Sequence, residues 1–159
     1  KGSAQPDSDI ATFMRVGILF WLLGATVAHA KNFSIFLGPG GRFRMTPLYD
    51  VLTAQPSLDE GQIPRRKFKL AMSVGKNRHY AIHDIAPRHF VQTAVSAGVG
   101  TLAMKAIFED IAANAERQAQ AAIAALPSGF PEQLVTSTMA AISHRTRLIA
   151  DSLLAASHG

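Results

Sequence analysis

Apolar residues recur at helical spacing over most of the chain and alternate with polar residues in only a few short stretches, which predicts a mostly α-helical fold. A long apolar run covers residues 10–25 and follows the capping side chains of Asp7, Ser8 and Asp9. Because this run is apolar almost all round, we expect it to form a helix that is buried on every side.

Two short segments have the composition of β-hairpins. Residues 33–37 are rich in aromatic and branched side chains, and they are separated from the alternating residues 42–45 by the turn sequence Gly-Pro-Gly-Gly. Residues 68–74 and 79–82 flank a second turn that begins at Gly75. The sequence therefore predicts one or two small hairpins inserted among the helices.

The second half of the chain is predicted to be helical. Pro87 fits a first helical position, and Gly98 and Gly100 fit the end of that helix. Two apolar stripes follow at helical spacing: Leu102, Met104, Ile107, Phe108, Ile111 and Ala115 in the first, and Val135, Met139, Ile142, Ile149 and Leu153 in the second. We expect these stripes to pack in the core and Arg145 and Arg147 to face outward.

Length and composition favour a single domain that covers residues 1–159, because the chain can bury one sizeable core. The sequence has no cysteine, which excludes disulfides and thiolate metal sites and fits a reducing compartment, so we expect a cytoplasmic protein. Residues 16–28 are too few to span a bilayer, which takes about 20 apolar residues. We therefore predict no membrane association.

The formal net charge of +5 is concentrated in one part of the chain. Between residues 60 and 90 the basic side chains are Arg65, Arg66, Lys67, Lys69, Lys76, Arg78 and Arg88. This basic segment could attract an anionic partner such as nucleic acid, and it could equally be a solvated hairpin surface.

The residues that suggest chemistry are Asn32, at the end of the sequence Thr-Val-Ala-His-Ala-Lys-Asn, and Asp50, 18 residues later. They flank the first predicted hairpin, so their side chains can converge, and an amide and a carboxylate supply the hard oxygen ligands of magnesium. Taken alone, Asn32 also fits a turn residue, Asp50 a cap, and His29 a structural histidine. A metal-dependent hydrolase is disfavoured because the chain lacks a H-E-x-x-H arrangement.

Residues 20–36 and 40–52 resemble the catalytic segment of the HipA toxin kinases, which have a D-x-H-x-x-N catalytic loop and a later metal-binding aspartate in a Tyr-Asp context. Further stretches resemble the family in the same order: Lys-Leu-Ala-Met at residues 69–72, Ile-Ala-Pro-Arg-His-Phe at 85–90 and Leu-Pro-Ser-Gly-Phe-Pro at 126–131. The resemblance implies the helical C-terminal lobe of a HipA-like, protein-kinase-like fold.

The resemblance also implies roles for individual residues. Asn32 and Asp50 would hold Mg²⁺ against the phosphates of ATP. His29 would belong to the catalytic loop, and Lys31 and Tyr49 would line the nucleotide edge. ATP and Mg²⁺ are expected to bind only when the nucleotide-gripping N-lobe is present, because the family's glycine-rich phosphate loop lies upstream of the matching region and no such motif occurs here.

The main departure from the family's pattern is Val27, which stands where the resemblance places the catalytic aspartate. A general base contributes about 10²–10⁴-fold to a rate, so we expect a serine/threonine kinase lobe with little or no phosphoryl transfer.

The resemblance implies a HipB-like antitoxin as partner and a protein serine or threonine as substrate, with an aminoacyl-tRNA synthetase as the family's example. Residues 91–104 contain no Lys or Arg, so we expect DNA contact only indirectly or through residues 65–78. The alternative hypothesis is a non-catalytic module that binds an antitoxin-like partner or DNA.

Overall fold

The computed structural model describes residues 2–157. They form five α-helices and two antiparallel two-stranded sheets. In chain order these are α1 (Pro6–Leu23), β1 (Ile35–Leu37), β2 (Phe43–Met45), α2 (Gln55–Asp59), β3 (Lys69–Val74), β4 (His79–Ala81), α3 (Pro87–Ser96), α4 (Thr101–Ala124) and α5 (Glu132–Ser157). The predicted mostly helical fold with two small hairpins is confirmed.

Helix α1 begins at Pro6, four residues before the predicted start, because proline fits the first turn, where the backbone N–H groups have no partner inside the helix. Its last turn ends on Gly24, whose backbone is left-handed with φ of 67°. A Cβ at Gly24 would lie 2.6 Å from Cζ of Phe68, so only glycine fits both the turn and the close approach.

The core is built around α1, which packs against α3, α4 and α5. The large side chains that are almost fully buried there are Trp21, Phe20, Phe68, Phe90, Ile18, Met104 and Ile149. Each such side chain contributes about 1.5–3 kcal/mol by leaving water. The prediction that α1 is buried on every side is wrong, because Ile10, Phe13 and Leu19 are exposed.

Both hairpins lie where the sequence placed them. In the first, Ile35 pairs with Met45 and Leu37 with Phe43. In the second, β3 and β4 pair with an irregular register between Lys69 and Val74. The first hairpin joins the segment that contains Asn32 to the segment that contains Asp50.

The C-terminal helices confirm most of the predicted stripes and contradict two expectations. Pro87 is the first residue of α3, as expected, and Arg147 is exposed. Leu102 is 81% exposed because it lies in the first turn of α4, before the helix reaches the core. Arg145 is only 8% exposed, so its outward placement is wrong. It lies three residues after Ile142 and four before Ile149, within the apolar stripe.

None of the helices between residues 2 and 157 carries an apolar stretch long enough to cross a bilayer.

Candidate functional site

Asn32 closes a tight turn of 3-10 helix, Ala30–Asn32, that follows the end of α1. Its side-chain Oδ1 accepts a hydrogen bond from the backbone N–H of His29 at 2.9 Å, and its own N–H donates to the carbonyl of His29 at 3.0 Å. Phe33 anchors the turn by packing its ring 5.0 Å from that of Phe13 and 5.8 Å from that of Phe20. Asn32 is 6% exposed, so its side chain is held in one place.

Asp50 meets Asn32 across the first hairpin. Nδ2 of Asn32 donates to the Asp50 carboxylate Oδ2 at 3.2 Å and lies 3.4 Å from the Asp50 carbonyl oxygen. The backbone of Asp50 has φ of 54°, in the left-handed region that few residues other than glycine adopt. Such conformations persist where surrounding contacts impose them, and they cluster at functional sites.

The pair offers the donor chemistry that magnesium prefers. Asp50 is exposed, and its Oδ1 has no hydrogen-bond partner among the described residues, while Oδ1 of Asn32 retains a second lone pair. Two protein oxygens suit Mg²⁺, which usually keeps several waters and takes further ligands from substrate phosphates. Residues 2–157 contain no group of three or more His, Cys, Asp or Glu side chains that would form an all-protein metal cage. The donor set therefore fits a metal bound together with a phosphate.

Lys31 and Tyr49 lie beside this pair. The Tyr49 hydroxyl is 3.4 Å from the backbone oxygen of Lys31 and 2.7 Å from Oγ of Ser34, so it bridges the two segments that carry Asn32 and Asp50. The side chains of both Lys31 and Tyr49 are exposed. The structure thus brings both residues to the site edge, while their role toward a nucleotide stays a prediction.

Val27 and His29 occupy the loop between α1 and the turn. His29 lies six residues beyond the end of α1, and its Nδ1 donates to the Val27 carbonyl at 2.6 Å. The side chain of Val27 is 50% exposed, which leaves an apolar group facing solvent beside the Asn32 turn. Valine provides neither an acceptor nor a charge at this position.

The sequence did not predict a group of residues that holds the end of α1 in place near Asn32 and Asp50. Three consecutive carbonyls at the end of α1 each accept a hydrogen bond from a different segment: Leu22 from Arg145 at 2.8 Å, Leu23 from Oγ1 of Thr53, and Gly24 from the N–H of Ala54 at 3.1 Å. Helix C-terminal carbonyls lack partners within the helix, so these contacts satisfy groups that would otherwise need water.

Arg145 connects α5 to both segments of the site. One nitrogen donates to Leu22 and another donates to Oε1 of Gln55 at 2.7 Å, while the guanidinium lies 5.9 Å from the centre of the Phe68 ring. Burial lowers the pKa of Arg145 to about 10, and the charge of Asp59 partly opposes that shift. The position of Arg145 within the apolar stripe of α5 is the feature of the sequence that could have indicated its burial.

The basic segment stays on the surface. Arg65, Arg66 and Lys67 form a 3-10 turn, and Lys69, Lys76 and Arg78 are also exposed. Within the described part of the chain, none of these six side chains forms an ion pair.

Known proteins are similar to this chain in sequence and in fold. "Putative kinase Y4mE" of Sinorhizobium fredii is 33% identical over 100 residues, which are 62% of this chain and 21% of that protein. HipA of Shewanella oneidensis MR-1, solved with HipB and its operator DNA, shares the fold with a TM-score of 0.70 at 18% identity, over 89% of this chain and 32% of HipA. The chain thus spans about a fifth and about a third of these two relatives.

Residues 1–119 match the HipA-like C-terminal domain, and this match includes the Asn32 turn, the first hairpin and Asp50. The chain therefore belongs to the HipA-like C-terminal domain family.

Proposed function

We propose that this chain is the C-terminal lobe of a HipA-like serine/threonine-protein kinase of a toxin–antitoxin system. The observation that carries the proposal is the contact between Asn32 and Asp50, which puts an amide and a carboxylate from separate segments at one point. Together with an N-lobe that grips the nucleotide, these two side chains would hold Mg²⁺ on the ATP phosphates. The metal would supply charge neutralisation for phosphoryl transfer to a protein serine or threonine.

Val27 makes the present sequence a poor catalyst under this proposal. An aspartate in the family's catalytic loop would accept the proton of the attacking hydroxyl, and the exposed Val27 side chain has no atom that can do so. We therefore expect a bound nucleotide to stay largely unreacted. A binding role for ATP and Mg²⁺ would survive the substitution, because Val27 does not belong to the ligand pair.

The decisive experiment restores the base in a protein that joins this chain to its nucleotide-binding lobe. Val27→Asp should raise transfer of the γ-phosphoryl of radiolabelled ATP to the protein itself or to a protein substrate by about 10²–10⁴-fold. Val27→Asn is the matched control, because asparagine has nearly the same shape and cannot act as the base. Adding Asp50→Asn to Val27→Asp should abolish the gain.

Equal activity of Val27→Asp and Val27→Asn would contradict the proposal. So would retention of the gain after Asp50→Asn, because the phosphoryl transfer would then not depend on the Asn32–Asp50 pair.

The second candidate is a non-catalytic module that binds a HipB-like antitoxin or DNA. It is favoured by Val27 and by the exposed basic segment without ion pairs. If the segment contacts phosphates, the logarithm of the affinity for duplex DNA should fall linearly with the logarithm of the salt concentration, with a slope of about −0.9 per phosphate contact. Fluorescence anisotropy with labelled duplex measures this slope, and a flat salt response excludes the DNA version.

A further inference from the structure

A cavity of about 420 Å³ opens between α1, α5 and the residues that follow β4, and neither Asn32 nor Asp50 lines it. Apolar and polar side chains both line the cavity. Trp21 and Phe68 belong to its apolar part, which we call the apolar floor, and the polar side chains are Arg65, His83, His144 and Arg145. Four basic groups from three separate segments of the chain thus converge on one concave surface.

The charge of Arg145 is not matched by a carboxylate in contact with it. Its two hydrogen bonds go to the neutral oxygens of Leu22 and Gln55. Within residues 2–157 no acidic group lies within ion-pair distance of its guanidinium. Asp59 is connected to it only indirectly, because the Asp59 carboxylate accepts from Nε2 of Gln55 at 2.8 Å. A buried guanidinium without a touching anion is costly, since burial penalises its charged form.

The guanidinium also has unused donors. Of its five N–H groups, two make the hydrogen bonds to Leu22 and Gln55, and the guanidinium belongs to the cavity wall. The planar fork of an arginine matches the oxygens of a phosphate, and buried arginines suit such anions because they are weakly hydrated.

The rim adds further positive charge. The side chain of Arg65 is exposed and forms no ion pair within the described residues, and the ring nitrogens of His144, which is exposed on α5 next to Arg145, add hydrogen-bonding groups. Two carboxylates in the described part of the chain lie near the cavity: Asp84, 3.4 Å from Nε2 of His83 with a side chain that is 61% exposed to water, and Asp59, which is separated from Arg145 by Gln55. Neither carboxylate lines the cavity, whereas Arg65 and Arg145 do, so the charged side chains of the cavity wall are both positive.

We propose that this cavity binds a phosphate monoester, with the phosphoryl oxygens on Arg145 and Arg65 and the organic group on the apolar floor beside Trp21 and Phe68. Two arginines and two histidines suit a dianion better than a singly charged carboxylate. The apolar half of the wall favours an organic phosphate over inorganic phosphate, since the latter has nothing to bury there. This site is separate from the proposed kinase site.

The chain carries its own reporter for the test. Trp21 is the single tryptophan of the sequence, is 1% exposed and lines the cavity. Titration of the protein with phenyl phosphate at constant ionic strength should change the Trp21 emission in a saturable way. Inorganic phosphate, titrated in parallel, should bind at least about tenfold more weakly, and an equal affinity would overturn the organic part of the proposal.

Adjacent residues provide a matched pair of variants. Arg65→Gln should weaken phenyl phosphate binding about tenfold, whereas Arg66→Gln should change it less than about twofold, because Arg66 has the same charge and exposure and does not line the cavity. Equal weakening by both variants would overturn the proposal, since it would indicate general charge attraction.

Arg145→Lys tests the buried group while keeping its charge. The variant should lose phenyl phosphate binding at least about tenfold while its circular dichroism stays that of the parent protein. If the variant is folded and binds phenyl phosphate normally, Arg145 does not contact the ligand. If Arg145→Lys does not fold, the Arg65 and Arg66 pair still decides the outcome. Asp50→Asn should leave phenyl phosphate binding unchanged. The cavity proposal and the kinase proposal can therefore fail independently of each other.

Discussion

At the scale of single residues, Arg145 is a polar side chain whose removal should destabilise the fold. It donates from α5 to Leu22 and to Gln55, which lie in the two segments that lead to the candidate site. A buried acceptor that loses its donor costs about 1–3 kcal/mol. The long side chain also fills space between α5 and Phe68.

We expect Arg145→Ala to lower the free energy of unfolding by about 2–4 kcal/mol, because two acceptors lose their partner and a cavity forms. Arg147→Ala on the exposed side of the same helix should change it by less than about 0.5 kcal/mol. Urea unfolding followed by circular dichroism measures both. Equal, small effects of the two variants would show that the guanidinium contacts contribute little.

The same residues show where sequence reasoning works and where it stops. The convergence of Asn32 and Asp50 was predictable because a single short hairpin connects them, so local pattern fixes their approach. The burial of Arg145 was not predictable, because its partners Leu22 and Gln55 lie 123 and 90 residues away along the chain. Spacing within α5 marked Arg145 as part of the stripe, and only tertiary packing supplies the acceptors that make a buried arginine tolerable.

At the scale of elements, the start of α3 contains a pH-dependent cap. His89 is 3% exposed, and its Nδ1 accepts the backbone N–H of Ala86 at 3.2 Å, which requires the ring to be unprotonated on that nitrogen. The ring of His79 stacks on it with centres 3.9 Å apart. Burial, then the neighbouring His79, then Arg88 lower the pKa of His89 from its ordinary value of 6.5.

This lowered pKa predicts a loss of stability in mild acid. Because the unfolded chain takes up the proton near pH 6.5 and the folded chain resists it, the stability present above that pH is lost as the pH falls toward the lower folded value. In His89→Gln the dependence of the unfolding free energy on pH between 7 and 5 should become shallower. Glutamine at this third helical position can still accept from the Ala86 N–H.

His144→Gln serves as the control for that comparison, because His144 is exposed on α5 and should leave the slope unchanged. Urea midpoints at pH 7 and pH 5 give the measurement. If His89→Gln and the parent protein lose equal stability on acidification, His89 is not the titrating group.

Element boundaries were predictable where a turn residue marks them and less so where it does not. Pro87 and Gly75 fixed the start of α3 and the turn of the second hairpin. The start of α1 was predicted late, because Pro6 suits the first turn of a helix but adds no side chain to an apolar stripe. Exposure of Ile10 and Phe13 was not predictable, since an apolar sequence does not reveal which of its faces the fold covers.

At the scale of the whole molecule, the sequence carries the proposed metal-binding pair, Asn32 and Asp50, and has no motif that would wrap around the phosphates of a nucleotide. No glycine-rich phosphate loop occurs in its 159 residues. We expect the chain by itself to bind ATP with Mg²⁺ at least about tenfold more weakly, about 1.4 kcal/mol, than a protein in which it is joined to a nucleotide-binding lobe.

Isothermal titration calorimetry on the two proteins, with and without Mg²⁺, tests this expectation. Asp50→Asn in the longer protein should remove the part of the affinity that depends on Mg²⁺. Equal affinities of the short and long proteins would mean that the nucleotide contacts lie wholly within this chain.

The last turn of α1 couples the positions of the two segments that carry Asn32 and Asp50. The loop that leads to Asn32 grows directly out of this helix end, and the stretch that follows Asp50 is fastened to it through Thr53 and Ala54. Both segments are therefore attached to the same helix end. A partner that displaced the end of α1 would therefore move the side chains of Asn32 and Asp50 together, and the distance between them would change little.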